Sequence, residues 1–260
     1  QQAATKARLG SVGLNAKWEF ADNLTLTVDG HHSVSTSSPD NPNGTTATTV
    51  ALGAPVIQGH SLDFSTGFPQ QAQVINDCYR ASATATPTGN CNGVLDIGDL
   101  GSAPARTIIS RQTQRIDQLQ ARLGWDLGGG SRFDVGGSYT DSKMHSTQTQ
   151  TQQTLGDWGL QNPGIIQQLA PELVSQYCLT CKFDHFNPAS EGSSLIAFRG
   201  NAIDLYNVLS PYYSQRGAPP APSAPADDTV QEKIWSVFGQ FTWNGEVAGK
   251  PANLVIGARY

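Results

Sequence analysis

The sequence predicts an all-β fold, an antiparallel up-and-down transmembrane β-barrel segment of about six long strands with two long extracellular loops. Three observations lead to it. Apolar and polar residues alternate strictly, the alternating stretches come in pairs joined by short turns, and very long polar segments separate the pairs. Period two means strand, because successive side chains leave opposite faces. Two such runs joined by a short turn make an antiparallel hairpin.

The first hairpin is expected near residues 8–36. Val12, Leu14, Ala16, Trp18 and Phe20 share a face, opposite Ser11, Gly13, Asn15, Lys17 and Glu19. A turn at Ala21-Asp22-Asn23 leads to Leu24, Leu26 and Val28, opposite Thr25, Thr27, Asp29 and His31. The second hairpin is expected near 107–146. Leu119, Ala121, Leu123, Trp125 and Leu127 alternate with polar residues and glycine, Gly128 to Ser131 makes the turn, and Phe133, Val135, Gly137 and Tyr139 follow. The third is expected near 229–260. Trp235, Val237, Phe241 and Trp243 share a face, a turn spans Asn244 to Pro251, and Leu254, Ile256, Ala258 and Tyr260 return. Ile234, Phe238 and Val255 break the pattern on the polar face. Between the hairpins, residues near 37–106 and 147–228 are rich in Ser, Thr, Asn, Pro and Gly. Within them Val56 to Phe64 reads as a short strand, and Asn162 to Tyr177 and Ile203 to Ser210 as short helices.

Composition supports this layout. Only 14% of residues are charged, 38% are hydrophobic, and Gly occurs 27 times in 260 residues, which suits β-structure with polar loops. No apolar run approaches the roughly 20 residues of a transmembrane helix, so a helical membrane protein is excluded and a barrel is not. A net charge of -5 without a basic stripe argues against a nucleic-acid partner. Connections alternate short and long, as in barrels with tight periplasmic turns and long outer loops. Trp18, Phe20, Trp125, Phe133, Phe241 and Trp243 all lie near a short turn, where a periplasmic aromatic girdle belongs. A soluble β-sandwich also alternates, but its strands typically run about 5–6 residues, shorter than those expected here. The start at Gln1-Gln2-Ala3 and the end at Arg259-Tyr260, directly after an alternating stretch, read as cuts through a longer protein.

Glu232-Lys233-Ile234-Trp235-Ser236-Val237-Phe238-Gly239-Gln240-Phe241 and Gly249-Lys250-Pro251 through Arg259-Tyr260 resemble a barrel hairpin of TonB-dependent receptors. Gly13 to Trp18 and Asp29 to Ser33 are similar to an earlier hairpin of the same family. The resemblance covers the three hairpins, under half of the chain. It implies a plugged barrel in the outer membrane of a Gram-negative bacterium, in contact with outer-membrane lipid. Such a receptor binds a scarce small ligand (a siderophore, cobalamin or an oligosaccharide) at its outer loops and imports it with energy from the TonB complex. No plug domain and no TonB-binding segment can be read in the sequence. A passive porin-type channel is the alternative function.

The four cysteines fall in two local pairs in polar stretches, Cys78 with Cys91 and Cys178 with Cys181, which suggests disulfides and an oxidising compartment. A zinc site at Cys178, Cys181 and His185 is disfavoured, since only three candidate ligands lie close and a structural site needs four. Asn90, Asn92, Asp96 and Asp99 offer oxygen ligands but lack the register of a calcium loop, and they read as solvated carboxylates and amides. His31 and His32 point to opposite faces. Lys17, Glu19, Asp29, Arg122, Asp126, Asp134, Glu232 and Arg259 form an inward polar set whose mixed signs suggest salt bridges. The loop aromatics Trp158, Tyr206, Tyr212 and Tyr213, with Phe183 and Phe186, carry two open readings: ligand contact, or small cores that order the loops. No Gly-x-Ser-x-Gly, phosphate loop or His-Glu-x-x-His occurs, so no catalytic residue, cofactor or metal is assigned and an enzyme is not expected.

Overall fold

The structure, a computed structural model, describes residues 1–65, 70–157, 160, 163–182 and 196–260. In chain order the elements are β1 (Gln2–Ala3), β2 (Thr5–Ala21), β3 (Leu24–Pro39), β4 (Ala47–Gly53), β5 (Ile57–Asp63), β6 (Gln70–Ile75), β7 (Gly101–Gly128) and β8 (Ser131–Thr154). Then come α1 (Ile165–Leu169), β9 (Val174–Cys178), β10 (Ile196–Gly200), α2 (Ala202–Ser214), β11 (Ala221–Pro222), β12 (Ala226–Val247) and β13 (Lys250–Arg259). The chain divides into two compact units, one of Gln1–Ala4, Pro39–Ile109 and Thr149–Pro225, the other of Thr5–Ser38, Ser110–Gln148 and Ala226–Tyr260.

The second unit is a curled antiparallel sheet of six long strands in the order β2-β3-β7-β8-β12-β13. The alternation that predicts these strands also sets their register. Leu24 faces Trp125 and Leu26 faces Leu123 across β3–β7. Phe133 faces Phe241 and Tyr139 faces Trp235 across β8–β12. The three short turns fall at Asp22–Asn23, Gly129–Gly130 and Ala248–Gly249. The last is narrower than the expected span from Asn244 to Pro251, because the ladder continues through Gly245↔Ala252 and Glu246↔Pro251 to Val247↔Lys250. Pro251 is tolerated there because β13 pairs only with β12 among the described residues, and proline belongs on edge strands. Ala248 and Gly249 have φ of 54° and 74°, the left-handed pair of a type I′ turn, whose twist matches that of the strands.

The first unit shows that the long segments are folded around a core of their own. Leu100, Leu155, Ile165, Ile166, Leu205 and Leu209 are its buried centre. The expected strand appears as β5, paired antiparallel with β6. The helix expected from Ile203 to Ser210 appears as α2, capped by the Asn201 side chain, which accepts from the Ile203 and Asp204 amides. The helix expected from Asn162 to Tyr177 is largely overturned. Only α1 is helical; a 3₁₀ turn at Pro171–Leu173 follows, then β9, paired with β10. Pro171 lacks the amide a continuing helix needs, and the chain leaves as a strand. Both expected disulfides are present: Cys78–Cys91 with Cα atoms 4.6 Å apart and Cys178–Cys181 with 5.3 Å.

A left-handed backbone at Ala248 places its Cβ against the following carbonyl. Ala248→Asn keeps the turn and removes part of this penalty, so it should stabilise the chain by about 0.5–1 kcal/mol in denaturant titration. A lower midpoint for the variant would show that this turn does not limit the hairpin.

Candidate functional site

The sheet of the second unit separates two chemistries. One face carries Leu24, Leu26, Val28, Leu119, Trp125, Phe133, Val237, Phe241, Leu254 and Ile256, all at alternate positions brought together by register. This face is open: Trp18 is 64% exposed, Leu14 76% and Trp235 74%. Trp125, Phe133, Phe241 and Trp243 sit at the turn end of their strands. Further from the turns, the rings of Tyr139 and Trp235 meet at a tilt of 38° with centroids 4.3 Å apart. From Trp235 to Trp243, or from Leu119 to Leu127, the run covers about 26 Å along the strand. A barrel tilt of about 40° reduces this to about 20 Å, near the roughly 25 Å apolar band of outer-membrane barrels.

The opposite face holds a charge network near the turns. Asp134 is 2% exposed and takes both Arg122 (3.0 Å) and Arg132 (3.0 Å). Arg132 also reaches Asp126 at 3.2 Å. Lys17 pairs with Glu19 at 2.7 Å, and Asn15 donates to Asp29 at 3.2 Å. A polar hollow of about 340 Å³ is lined by Lys17, Glu19, Thr27, Arg122, Asp126 and Arg132. Gly124 is required beside it, since a Cβ there would meet the Arg132 guanidinium and Asp134 Oδ1. Further up, Arg259 donates to Ser236 Oγ at 3.1 Å, which pairs with Ser138 Oγ at 2.7 Å. Phe238, an apolar exception on this face, lies over Gly136. Glu232 is exposed opposite Ser142. The sequence reading brought this mixed set together but missed Arg132, although its position two residues before Asp134 was signal enough.

His31 and His32 lie opposite Gln118 and Asp117 in the ladder and so leave the sheet on opposite faces. His32 Nδ1 is 2.6 Å from Asp117 Oδ1, and Arg115 Nε is 2.9 Å from the same carboxylate. This charged group stands on the mainly apolar face, level with the top of the band.

In the first unit Tyr206, Tyr212 and Tyr213 are half-buried against the core. Tyr213 accepts from Ser102 Oγ at 3.1 Å, and burial raises its pKa. Tyr212 and Tyr213 meet edge to face at 5.1 Å, and Arg216 lies over the Tyr212 ring at 3.5 Å. These contacts order the segment, whatever else the rings touch. Trp158, Phe183, His185 and Phe186 lie outside the described residues. Of the group expected to be solvated, Asn90 and Asn92 are exposed and Asp96 is half-buried, while Asp99 is turned inward. Asp99 and Asp77 are buried. Asp99 accepts from the Asn90 and Asp96 amides at 3.0 Å each, and Asp77 from the Gly93 amide at 2.9 Å. Asn90 and Asn92 donate to Asp96 at 3.1 and 2.7 Å. These carboxylates serve as caps for a loop closed by Cys78–Cys91. Among the described residues no cluster of His, Cys, Asp or Glu is arranged to hold a metal ion, and no helix is long and apolar enough to cross a membrane.

No family model, curated protein or solved structure matches this chain.

Removing Asp134 leaves two guanidinium groups facing each other on the sheet. A buried carboxylate lost from such a pair costs about 3–5 kcal/mol. Arg122 and Arg132 are partly exposed, so solvent screens them, and Asp134→Ala should cost about 1–3 kcal/mol. Denaturant titration checks it; an unchanged midpoint would remove the clamp as a stabilising element.

Burial raises the Asp99 pKa more than its two amide hydrogen bonds lower it, and Asp96 and Asp77 add to the rise. A carboxyl raised on folding contributes stability fully below its unfolded value, about 3.9, and loses it as pH climbs through the folded value. Amide exchange around Asn90, corrected for its intrinsic rate, should therefore slow as pH falls through the folded value towards the unfolded one, and Asp99→Asn should flatten that dependence. Faster exchange on acidification contradicts it.

Proposed function

We propose that this chain is part of an outer-membrane β-barrel of the TonB-dependent receptor type, which binds a scarce small ligand at its outer loops and imports it with energy from the TonB complex. The observation that carries the membrane reading is the open apolar face of the six-stranded sheet. It is bounded by Trp125, Phe133, Phe241 and Trp243 at the turn end and by Tyr139 and Trp235 beyond. In water such a face is an aggregation hazard; in lipid it is the ordinary exterior of a barrel. The other face, with Arg122, Asp134, Arg132 and Asp126, suits a watery or protein-filled lumen. Both disulfides suit a compartment outside the cytoplasm.

In this reading further strands pair with β2 and β13, whose outer edges carry unpaired amides and carbonyls among the described residues. Such groups cost several kcal/mol each in lipid. A receptor is favoured over a passive porin by the first unit. Its long connections fold around a core of their own, with exposed polar surface available to a ligand. Siderophores, cobalamin and oligosaccharides all remain within this reading.

The test is depth. Single-tryptophan variants retaining Trp125, Trp235 or Trp243, reconstituted in vesicles with brominated acyl chains, should be strongly quenched by the lipid and little by aqueous iodide. A chain that stays monomeric in water without detergent, with tryptophans open to iodide, overturns the membrane assignment.

A further inference from the structure

Above the Tyr139–Trp235 pair the open face changes character. At the alternate positions that continue it stand Arg115 and Arg111 on β7, Lys143 on β8 and Lys233 on β12, all exposed. Lys233 lies opposite Asp141, and Gln231 opposite Lys143. The contact of Gln112 Nε2 with Met144 Sδ at 2.7 Å sets β7 and β8 at the same level. Neutralisation is incomplete. Arg115 shares Asp117 with His32, and Lys233 approaches Asp141 only to 3.9 Å. Arg111 and Lys143 form no ion pair among the described residues. Asp227, further along the same face of β12, is taken by His145 at 2.7 Å, so four cations meet three carboxylates, Asp117, Asp141 and Asp227, on neighbouring strands of a chain whose net charge is -5. No run of basic residues announces this in the sequence, because the cations stand on one face of three separate strands, two on β7 and one each on β8 and β12.

Beside the cations lies an apolar groove of about 360 Å³. Val12, Leu14, Gly30, Leu119 and Tyr139 line it, and His32 and Asp117 also border it. A cationic patch continuous with an apolar groove is complementary to an amphiphile with an anionic head. Arginine offers a fork of donors that matches phosphate oxygens, and lysine adds point charge.

We propose that Arg111, Arg115, Lys143 and Lys233 bind the phosphate groups of a phosphorylated lipid in the leaflet facing the long connections, with one acyl chain in the groove. The inference rests on the membrane reading above. A free phosphate would use the cations but leave the groove without a role, so the lipid is the occupant.

The experiment separates the two readings. The full chain is reconstituted in phosphatidylcholine vesicles and in vesicles doped with bis-phosphorylated or dephosphorylated lipid A, and Trp235 emission reports binding. The expected result is insertion into all three, with a preference of roughly fivefold for the bis-phosphorylated lipid, from about fivefold per net cation near an anionic surface. Added salt should weaken this preference. R111Q/R115Q/K143Q/K233Q should insert equally well and lose the preference, while K250Q, at the turn end of the sheet, should retain it. Equal insertion by the parent chain without preference overturns the lipid site and leaves the membrane reading standing. Failure to insert into any vesicle overturns both.

Discussion

Side-chain parity across the β8–β12 ladder is the constraint on which the sheet depends. With Tyr139 opposite Trp235 and Phe133 opposite Phe241, the large apolar rings leave on one side, Phe238 over Gly136 excepted. A slip of one residue would send the whole set to the other face. It would carry Ser236 away from Ser138 and break the bond from Asn244 to the Gly130 carbonyl. It would also lay rings of β12 beside Asp134, whose burial is tolerable only with Arg122 and Arg132 on the same side. The charged clamp on one face and the aromatic pair on the other thus enforce one register from opposite sides.

The first unit obeys a different logic. Its strands are short and its core is assembled from separate stretches: Leu100 before β7, Leu155 after β8, Ile165 and Ile166 in α1, Leu205 and Leu209 in α2. Stretches rich in Ser, Thr, Asn and Gly cannot bury enough apolar surface alone to offset the entropy of ordering. Buried carboxylate caps and a local disulfide supply the remainder around Asp77, Cys78, Cys91 and Asp99. The two units therefore rest on different balances: ladder hydrogen bonds and alternation in one, a small core with polar caps in the other.

This difference explains what could be read from the residues. The six long strands were legible because alternation is local: Trp18, Trp125 and Trp243 each announce their face within a few positions. The salt-bridged inner face followed from the same parity, and so did the opposite directions of His31 and His32. The fold between the hairpins was not legible, because Leu155 and Leu209 meet across dozens of residues with no periodic signal. The helix expected from Asn162 to Tyr177 failed because apolar spacing cannot distinguish a single helical turn ended by Pro171 from a full helix. The caps at Asp77 and Asp99 were missed because carboxylates among asparagines and glycines look solvated until backbone amides are seen to converge on them. The groove at Leu119 and Tyr139 lies between strands and has no linear pattern.

Three asparagines in this chain precede glycine: Asn43, Asn92 and Asn244. Such pairs age chemically, because the glycine amide nitrogen attacks the asparagine side chain and releases ammonia through a cyclic imide. Here each nitrogen is restrained. The Gly44 amide donates to the Asn41 carbonyl at 2.9 Å, and the Gly93 amide to Asp77 at 2.9 Å. Gly245 is held in extended ladder opposite Ala252. The asparagine amides are also engaged, Asn43 with Thr48, Asn92 with Asp96 and Asn244 with Gly130. The carboxylate that caps the Cys78–Cys91 loop therefore also protects covalent integrity. A chain that opens there exposes Asn92 to deamidation, so the chemical lifetime of the protein is coupled to the local closure of that loop.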